Sequence, residues 1–519
     1  MLADWTDFAI ALPTAINLLF AFAFGACAGS FIHVLVHRLP EGLSVISPPS
    51  RCPTCGYRLP WHQNIPVIGY LRLRGHCAAC GVRIPSRYVW SEVGMGLLFV
   101  AAWAVLFLPR RDGFWYPVGE GWWRAQGIAH ALPALAVVWC GIGALAAMTA
   151  VDAKSFLIPV AIPGWTSVLA FLLWPLAAAV AQGVPEPFPM PAPPWQACVA
   201  ALGGLAGLGI GRILLVAGIL PRSFEDYGDY AANESDVFAD YPHARREMMK
   251  EIAFVGPAVL LAGVGWVVAP HVAPTEALPA PLAAFFAVAL GFLVGGAIVW
   301  ALRIVATLLL DTEALGLGDV HLLACVGAVF GWKVAVAGFV LAPFAGLAWW
   351  LANSFRHAPM RMPYGPSLAV GSVAAWGMKP VVAAAVTGLL AWMATLGASA
   401  KASPGHALIL ASILGVASTV AAAIARRAGG PSVAASIVLM VAGVVAWILA
   451  APSWPAVGAG VGLGLAVACL AGSWLSGARF EEDAGPRTAL SRILRLLAVV
   501  VVAVGLVLLV ARPAGSALP

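Results

Sequence analysis

Apolar residues fall along this chain in long blocks, with few alternating stretches. A helix needs about 20 such residues to cross a hydrocarbon core of roughly 30 Å. Blocks of that kind lie near residues 10–37, 91–109, 131–151, 157–182, 196–219, 252–271, 281–309, 320–351, 366–397, 407–425, 431–451, 456–476 and 490–511. Gly331 and Trp332 interrupt the eighth block, and a glycine there predicts a break. The pattern predicts an all-α polytopic membrane protein of about 13–14 transmembrane helices. The short alternating strands of a membrane β-barrel are not part of it. The opening "MLADWTDFAI" lacks the basic stretch of a cleaved signal, so the first block is expected to be a retained helix.

Composition strengthens this picture. Of 519 residues, 61% are hydrophobic and 10% charged, where a soluble domain carries roughly 25% charged residues. The net charge of +6 gives no reason to expect nucleic acid; the partner it implies is the lipid bilayer. What matters is where the cations sit. The 38–90 loop holds Arg38, Arg51, Arg58, Arg72, Arg74, Arg83 and Arg87 against Glu41 alone. That excess places it in the cytosol and the N-terminus outside. Counting forward puts 152–156, 220–251, 310–319 and 353–365 on the inner side, with Arg356 and Arg361 agreeing. The outer 110–130 loop, with three arginines, departs from the rule.

This divides the chain into a first transmembrane helix (1–40), a cytosolic loop (41–90), a membrane core (91–219), an acidic cytosolic insert (220–251), a second core segment (252–397) and extra C-terminal transmembrane helices (398–519). The insert, "SFEDYGDYAANESDVFADYPHARREMMKE", carries about a third of the acidic residues. It reads as a solvated charged loop or as a docking or regulatory element.

Five of the nine cysteines (Cys27, Cys140, Cys198, Cys325, Cys469) lie in apolar blocks, where packing accounts for them. The other four fall in "CPTCGYRLPWHQNIPVIGYLRLRGHCAACG". Two CxxC knuckles, each followed by glycine, predict a zinc-ribbon-like site with Cys52, Cys55, Cys77 and Cys80 as ligands. Four thiolates close the coordination sphere, so the zinc would be structural. His62 and His76 read as loop residues.

Few carboxylates sit at inner membrane boundaries: Glu92, Asp152, Asp311, Glu313 and Asp319. Ionisable groups there are costly and are functional candidates. Asp152, in "MTAVDAKSFLIP", ends one span; Asp319 closes "GLGD" and opens another. Two readings stand. The aspartates could pair, one acting as base on a water and the other as acid on a carbonyl oxygen, with Gly316 and Gly318 clearing room for a substrate backbone. Or Asp319 is an N-cap and Asp152 a boundary charge beside Lys154.

Several stretches together match one family. "GSFIHVLVHRLP" (29–40), "PPSRCPTCG" (48–56), "NIPVIGYLRLRGHCAACGVRIPSRYVWSE" (64–92), "VDAKSFLIP" (151–159), "EALGLGDVHLLACVGAVFGW" (313–332) and "MPYGPSLAVG" (362–371) resemble, in order and spacing, the prepilin peptidases. These are membrane aspartyl proteases of the GxGD group. The resemblance covers about residues 10–397. It implies that Asp152 and Asp319 are the catalytic pair and that Gly316 and Gly318 are the motif glycines. It also implies a cytosolic zinc-binding loop in a bacterial inner-membrane protein. The family cuts basic leaders from prepilins and pseudopilins of type IV pilus and type II secretion systems. Many members then methylate the new N-terminus with S-adenosylmethionine. The chain departs from the family at His33 (usually Asn), Gln63 (often acidic), Val160 (often Asp) and His321 (usually Lys); His321 still offers a donor near a carboxylate. A transporter using the aspartates as a proton relay would put charges in mid-span on several helices, whereas these acids sit at span ends. A non-catalytic assembly protein would have no need of both aspartates.

Overall fold

The computed structural model describes residues 2–108, 121–182, 188–230, 241–272, 274, 277–310, 313, 315–354 and 364–377. The spans expected from residue 407 onward, and most of the one expected over 366–397, lie outside the described residues. Among the described residues the secondary structure is helical, apart from two single antiparallel bridges in the cysteine loop. The helices are α1 (Leu2–Arg38), α2 (Ile68–Arg72), α3 (Arg87–Phe107), α4 (Trp122–Ser155), α5 (Ala161–Val180), α6 (Trp195–Val216), α7 (Ala244–Val268), α8 (Ala280–Leu310), α9 (Leu317–Phe330), α10 (Trp332–Ser354) and α11 (Tyr364–Gly377). Eight candidate spans lie among them, on α1, α3–α8 and α10. The protein is a multi-pass membrane protein.

The break expected in the eighth block falls at Gly331, whose φ of +89° is open to glycine and costly for other residues. It separates α9 from α10. Short α9 is apolar on every side, and from Val320 to Phe330 all but His321 are buried; a helix apolar all round belongs inside. It packs against α8, α5, α4 and α11. At the α8–α9 crossing, a methyl added to Gly291 or Gly327 would run into the other's carbonyl, so the two backbones touch in the manner of small-residue membrane interfaces. Trp174 donates its indole N–H to the Val329 carbonyl at 3.1 Å, satisfying one of the carbonyls left over at the end of α9. Around Trp174, the rings of Trp123 and Phe188 stand edge to face, with Trp122 beyond them.

Helices α6 and α7 pair closely at the margin of the bundle and bury the least of themselves. Ile213, Leu260 and Val267 stand exposed on them, as lipid-facing side chains do. The described flanks of the 220–251 stretch pack onto one another. Residues 231–240 lie outside the described residues, but the flanks form a capped knot. Phe224, Tyr227, Tyr230, Tyr241 and His243 cluster ring to ring. The basic half is already helix, since α7 begins at Ala244. Buried Glu247 accepts from the Phe224 amide (2.7 Å), Lys250 (2.9 Å) and Arg246 (2.9 Å). Hydrogen bonds from Tyr241 and Arg246 hold the Asp226 carboxyl down at about 2.

Candidate active site and metal centre

Asp152 and Asp319 arrive from different elements and are both buried, at 5% and 8% exposure. Asp152 sits near the end of α4. Phe156 then turns left-handed, its amide on the Asp152 carbonyl at 2.8 Å, and Pro159 and Val160 lead into α5. Asp319 lies in the first turn of α9, which Gly316 opens in extended conformation. Ile158 links the two, lying against Gly318 next to Asp319 and against Gly365, which bonds Asp152.

Four small or apolar positions shape the space around them. The Gly365 amide, in the first turn of α11, donates to Asp152 Oδ2 at 3.1 Å; a helix N-terminus is a natural partner for a carboxylate. A methyl on Gly365 would lie 2.5 Å from that oxygen and 3.1 Å from Ile158 Cδ1. A methyl on Gly318 would meet Ile158 Cβ at 2.8 Å. Ile158 therefore fills the wedge between the helix carrying Asp319 and the glycine holding Asp152. A Cβ on Gly316 would be 3.6 Å from Asp319 Oδ2, so the motif backbone lies against the carboxylate. His321 directs Nδ1 to the Leu317 carbonyl at 2.8 Å, one turn back on its own helix. The arrangement offers two buried carboxylates, one oriented by a backbone amide; Gly318 and Gly365 are packed against Ile158, while Gly316 leaves space beside Asp319.

Sequence reasoning gave no role to Gly365, Ile158 or Arg303. Arg303, 1% exposed, lies inside α8. It forks onto Glu251 at 3.0–3.2 Å and reaches Glu313 at 2.6 Å and the Leu315 carbonyl. An arginine inside an apolar block was the signal that could have found it.

The cysteine loop forms two matching knuckles. In each, the first cysteine's amide bonds across the turn (Cys52 to the Tyr57 carbonyl and Cys77 to the Val82 carbonyl, both 2.9 Å). Gly56 and Gly81 take φ values of +72° and +69°. The four sulfur atoms lie within 4.8 Å of one another, with Cys52–Cys80 and Cys55–Cys77 at 3.9 Å. The set could hold a metal ion. Backbone amides of Cys55 and Thr54 bring the Cys52 thiol down to about 6. The loop is pinned to the bundle by buried Glu92, which accepts from the Val67 amide at 2.7 Å. Val67 has a φ of +63°, unusual for a β-branched residue. His33, its ring tilted against that of Tyr88, bonds Ser91 Oγ at 2.6 Å, so it joins α1 to α3.

A polytopic helical membrane protein with a buried carboxylate pair and a four-thiolate loop is the class these features define. Residues 23–106 match the Bacterial Peptidase A24 N-terminal domain. The chain is 48% identical over 82 residues to a prepilin leader peptidase/N-methyltransferase of Myxococcus xanthus, covering 16% of this chain and 24% of that one. It is 42% identical over 89 residues to the Klebsiella pneumoniae protein of the same name, covering 16% and 39%. Over 209 residues it is 32% identical to that of Pseudomonas putida, covering 35% and 64%. The chain thus spans between about a quarter and just under two thirds of the length of these relatives. No solved structure matches it. Over these stretches the chain is similar to prepilin leader peptidases.

Proposed function

We propose that this protein is a membrane aspartyl endopeptidase that removes leader peptides from type IV prepilins or pseudopilins at the cytosolic face of the bacterial inner membrane. The observation that carries this reading is the meeting of Asp152 and Asp319 in one buried place, with Gly365 bonded to one carboxylate. Two carboxyl groups that close cannot both ionise freely. One, charged, draws a proton from the attacking water; the other, protonated, gives one to the scissile carbonyl oxygen. The Gly365 amide keeps Asp152 aimed. Gly316 leaves room for an extended peptide backbone beside Asp319, Gly318 lets α9 pack onto Ile158, and His321 supports the α9 entrance through the Leu317 carbonyl.

Zinc suits the four-cysteine loop. Tetrahedral Zn–S bonds of about 2.3 Å set sulfurs about 3.8 Å apart, and two pairs here stand at 3.9 Å. Zinc would supply cross-linking of the knuckles, with Cys52, Cys55, Cys77 and Cys80 as ligands. The relatives' names include N-methyltransferase, and we extend that second activity to this chain, with S-adenosylmethionine as donor. A cavity of about 300 Å³ between α1 and the cysteine loop offers Ser30, Arg38, Ser50 and Asn64 as polar groups for it, at the lower end of ligand-sized sites.

The test uses the full-length protein in membranes with a prepilin carrying a basic leader. Wild type should remove the leader; Asp152→Asn and Asp319→Asn should each abolish cleavage while accumulating normally. Cleavage by both variants at the wild-type rate refutes the reading. Equilibrium binding of S-adenosylmethionine, and methylation of the product, test the second activity.

A further inference from the structure

We propose that Arg303 is a positioning residue for Asp319, and that the knot formed by the 220–251 stretch acts on the site through it; this rests on the peptidase reading above. Arg303 stands in the 31-residue α8, where a guanidinium is costly to desolvate unless its donors are met. Glu251 meets part of that need, taking Nε and Nη2 in a fork at 3.0–3.2 Å. Yet Nη1 is turned away from Glu251. It reaches Glu313 at 2.6 Å and the carbonyl of Leu315. Leu315 directly precedes Gly316. The Gly316-Leu317-Gly318 segment has two residues without side chains and would keep wide backbone freedom. A planar, rigid fork fixing the peptide just ahead of it removes that freedom and sets where α9, and with it Asp319, begins.

The other face of the guanidinium carries the ring of Phe224, 5.4 Å away, an arrangement that attracts. Phe224 donates its amide to Glu247, which Lys250 and Arg246 also hold. Trp300 donates to Glu251 at 2.7 Å. A continuous set of contacts thus runs from the 220–251 stretch through Phe224 and Arg303 to the residue before the GxGD motif. The fork satisfies Nε and Nη2, and the remaining donor, Nη1, takes as acceptors the Leu315 carbonyl and Glu313, which is 40% exposed.

The experiment measures kcat and KM for prepilin cleavage by the full-length protein, beside thermal stability. The variants are Glu313→Gln, Glu313→Asp, Arg303→Lys and Phe224→Leu, with Asp319→Asn as the inactive reference. Glu313→Gln leaves the Arg303–Glu251 fork whole, so it folds even where Arg303→Lys fails to. Misplacing a reacting group by 1 Å costs about a hundredfold in rate. A smaller displacement should lower kcat about tenfold in Glu313→Gln with KM and melting temperature unchanged, and Glu313→Asp should recover part of it. Phe224→Leu should lower kcat less, and its effect should not add to that of Glu313→Gln, as expected of residues acting through one partner. Unchanged kcat in Glu313→Gln, with Asp319→Asn inactive, overturns the positioning role and leaves the peptidase reading standing. A kcat loss matched by an equal loss of folded protein overturns it as well. If wild type leaves the leader intact, the peptidase reading falls and this role falls with it.

Discussion

Gly365→Ala is the sharpest probe of the site. The added methyl would lie 2.5 Å from Asp152 Oδ2, the oxygen the Gly365 amide holds at 3.1 Å. The same methyl would lie 3.1 Å from Ile158 Cδ1. To reach a tolerable separation of 3.0–3.4 Å, the carboxylate must retreat by about 0.5–0.9 Å. At about a hundredfold in rate per ångström, cleavage should fall roughly tenfold to hundredfold, or about 1.4–2.7 kcal/mol in the barrier. Folding should hold, since one side-chain rotation relieves the clash without opening the core. The control is Gly377→Ala on the same helix, where an added methyl meets nothing within 4 Å; it should cleave as wild type does. The assay is the initial rate of leader removal from a prepilin in proteoliposomes, normalised to folded protein. Equal rates for Gly365→Ala and wild type would show that the Gly365–Asp152 contact does not serve catalysis.

Other expectations concern the scaffold. Gly327→Ala should lower the melting temperature and the yield, because its methyl enters the Gly291 carbonyl across the α8–α9 crossing; overpacking of this kind costs about 1–3 kcal/mol or more. Glu251→Ala leaves Arg303 buried without its fork and should cost about 3–5 kcal/mol, read as loss of folded protein in detergent; normal yield would contradict it. Cys52→Ser should cut the zinc recovered with the purified protein, measured by plasma mass spectrometry, and weaken resistance of the 41–90 loop to protease before it alters cleavage. A wild-type protein free of zinc would refute the metal assignment.

The hydropathy of the chain disclosed most of what could be tested of the fold. Blocks of some 20 apolar residues have one outlet in a bilayer, and Gly331 marked the break between α9 and α10 because its backbone conformation favours glycine. The cysteine knuckles were legible because all four cysteines lie within 29 consecutive residues. What stayed hidden depends on contacts between distant residues. Gly365 meets Asp152 across 213 positions, and a glycine ahead of a helix announces nothing by itself. Arg303 finds Glu251 at a separation of 52, so neither showed its partner. The acidic 220–251 stretch read as a solvated loop because its charge dominates. Glu247 is buried there through the Phe224 amide and Lys250, and composition does not reveal such pairing.

The length of α9 has a consequence for the depth of the site. Fourteen residues rise about 21 Å, against roughly 30 Å of hydrocarbon. Asp319 at its head and Gly331 at its foot cannot reach both faces at once. Because α9 is enclosed by α8, α5, α4 and α11, the shortfall is met inside the protein and the surrounding lipid need not thin around it. The depth of Asp319 is therefore set by how the bundle packs, not by the thickness of the bilayer.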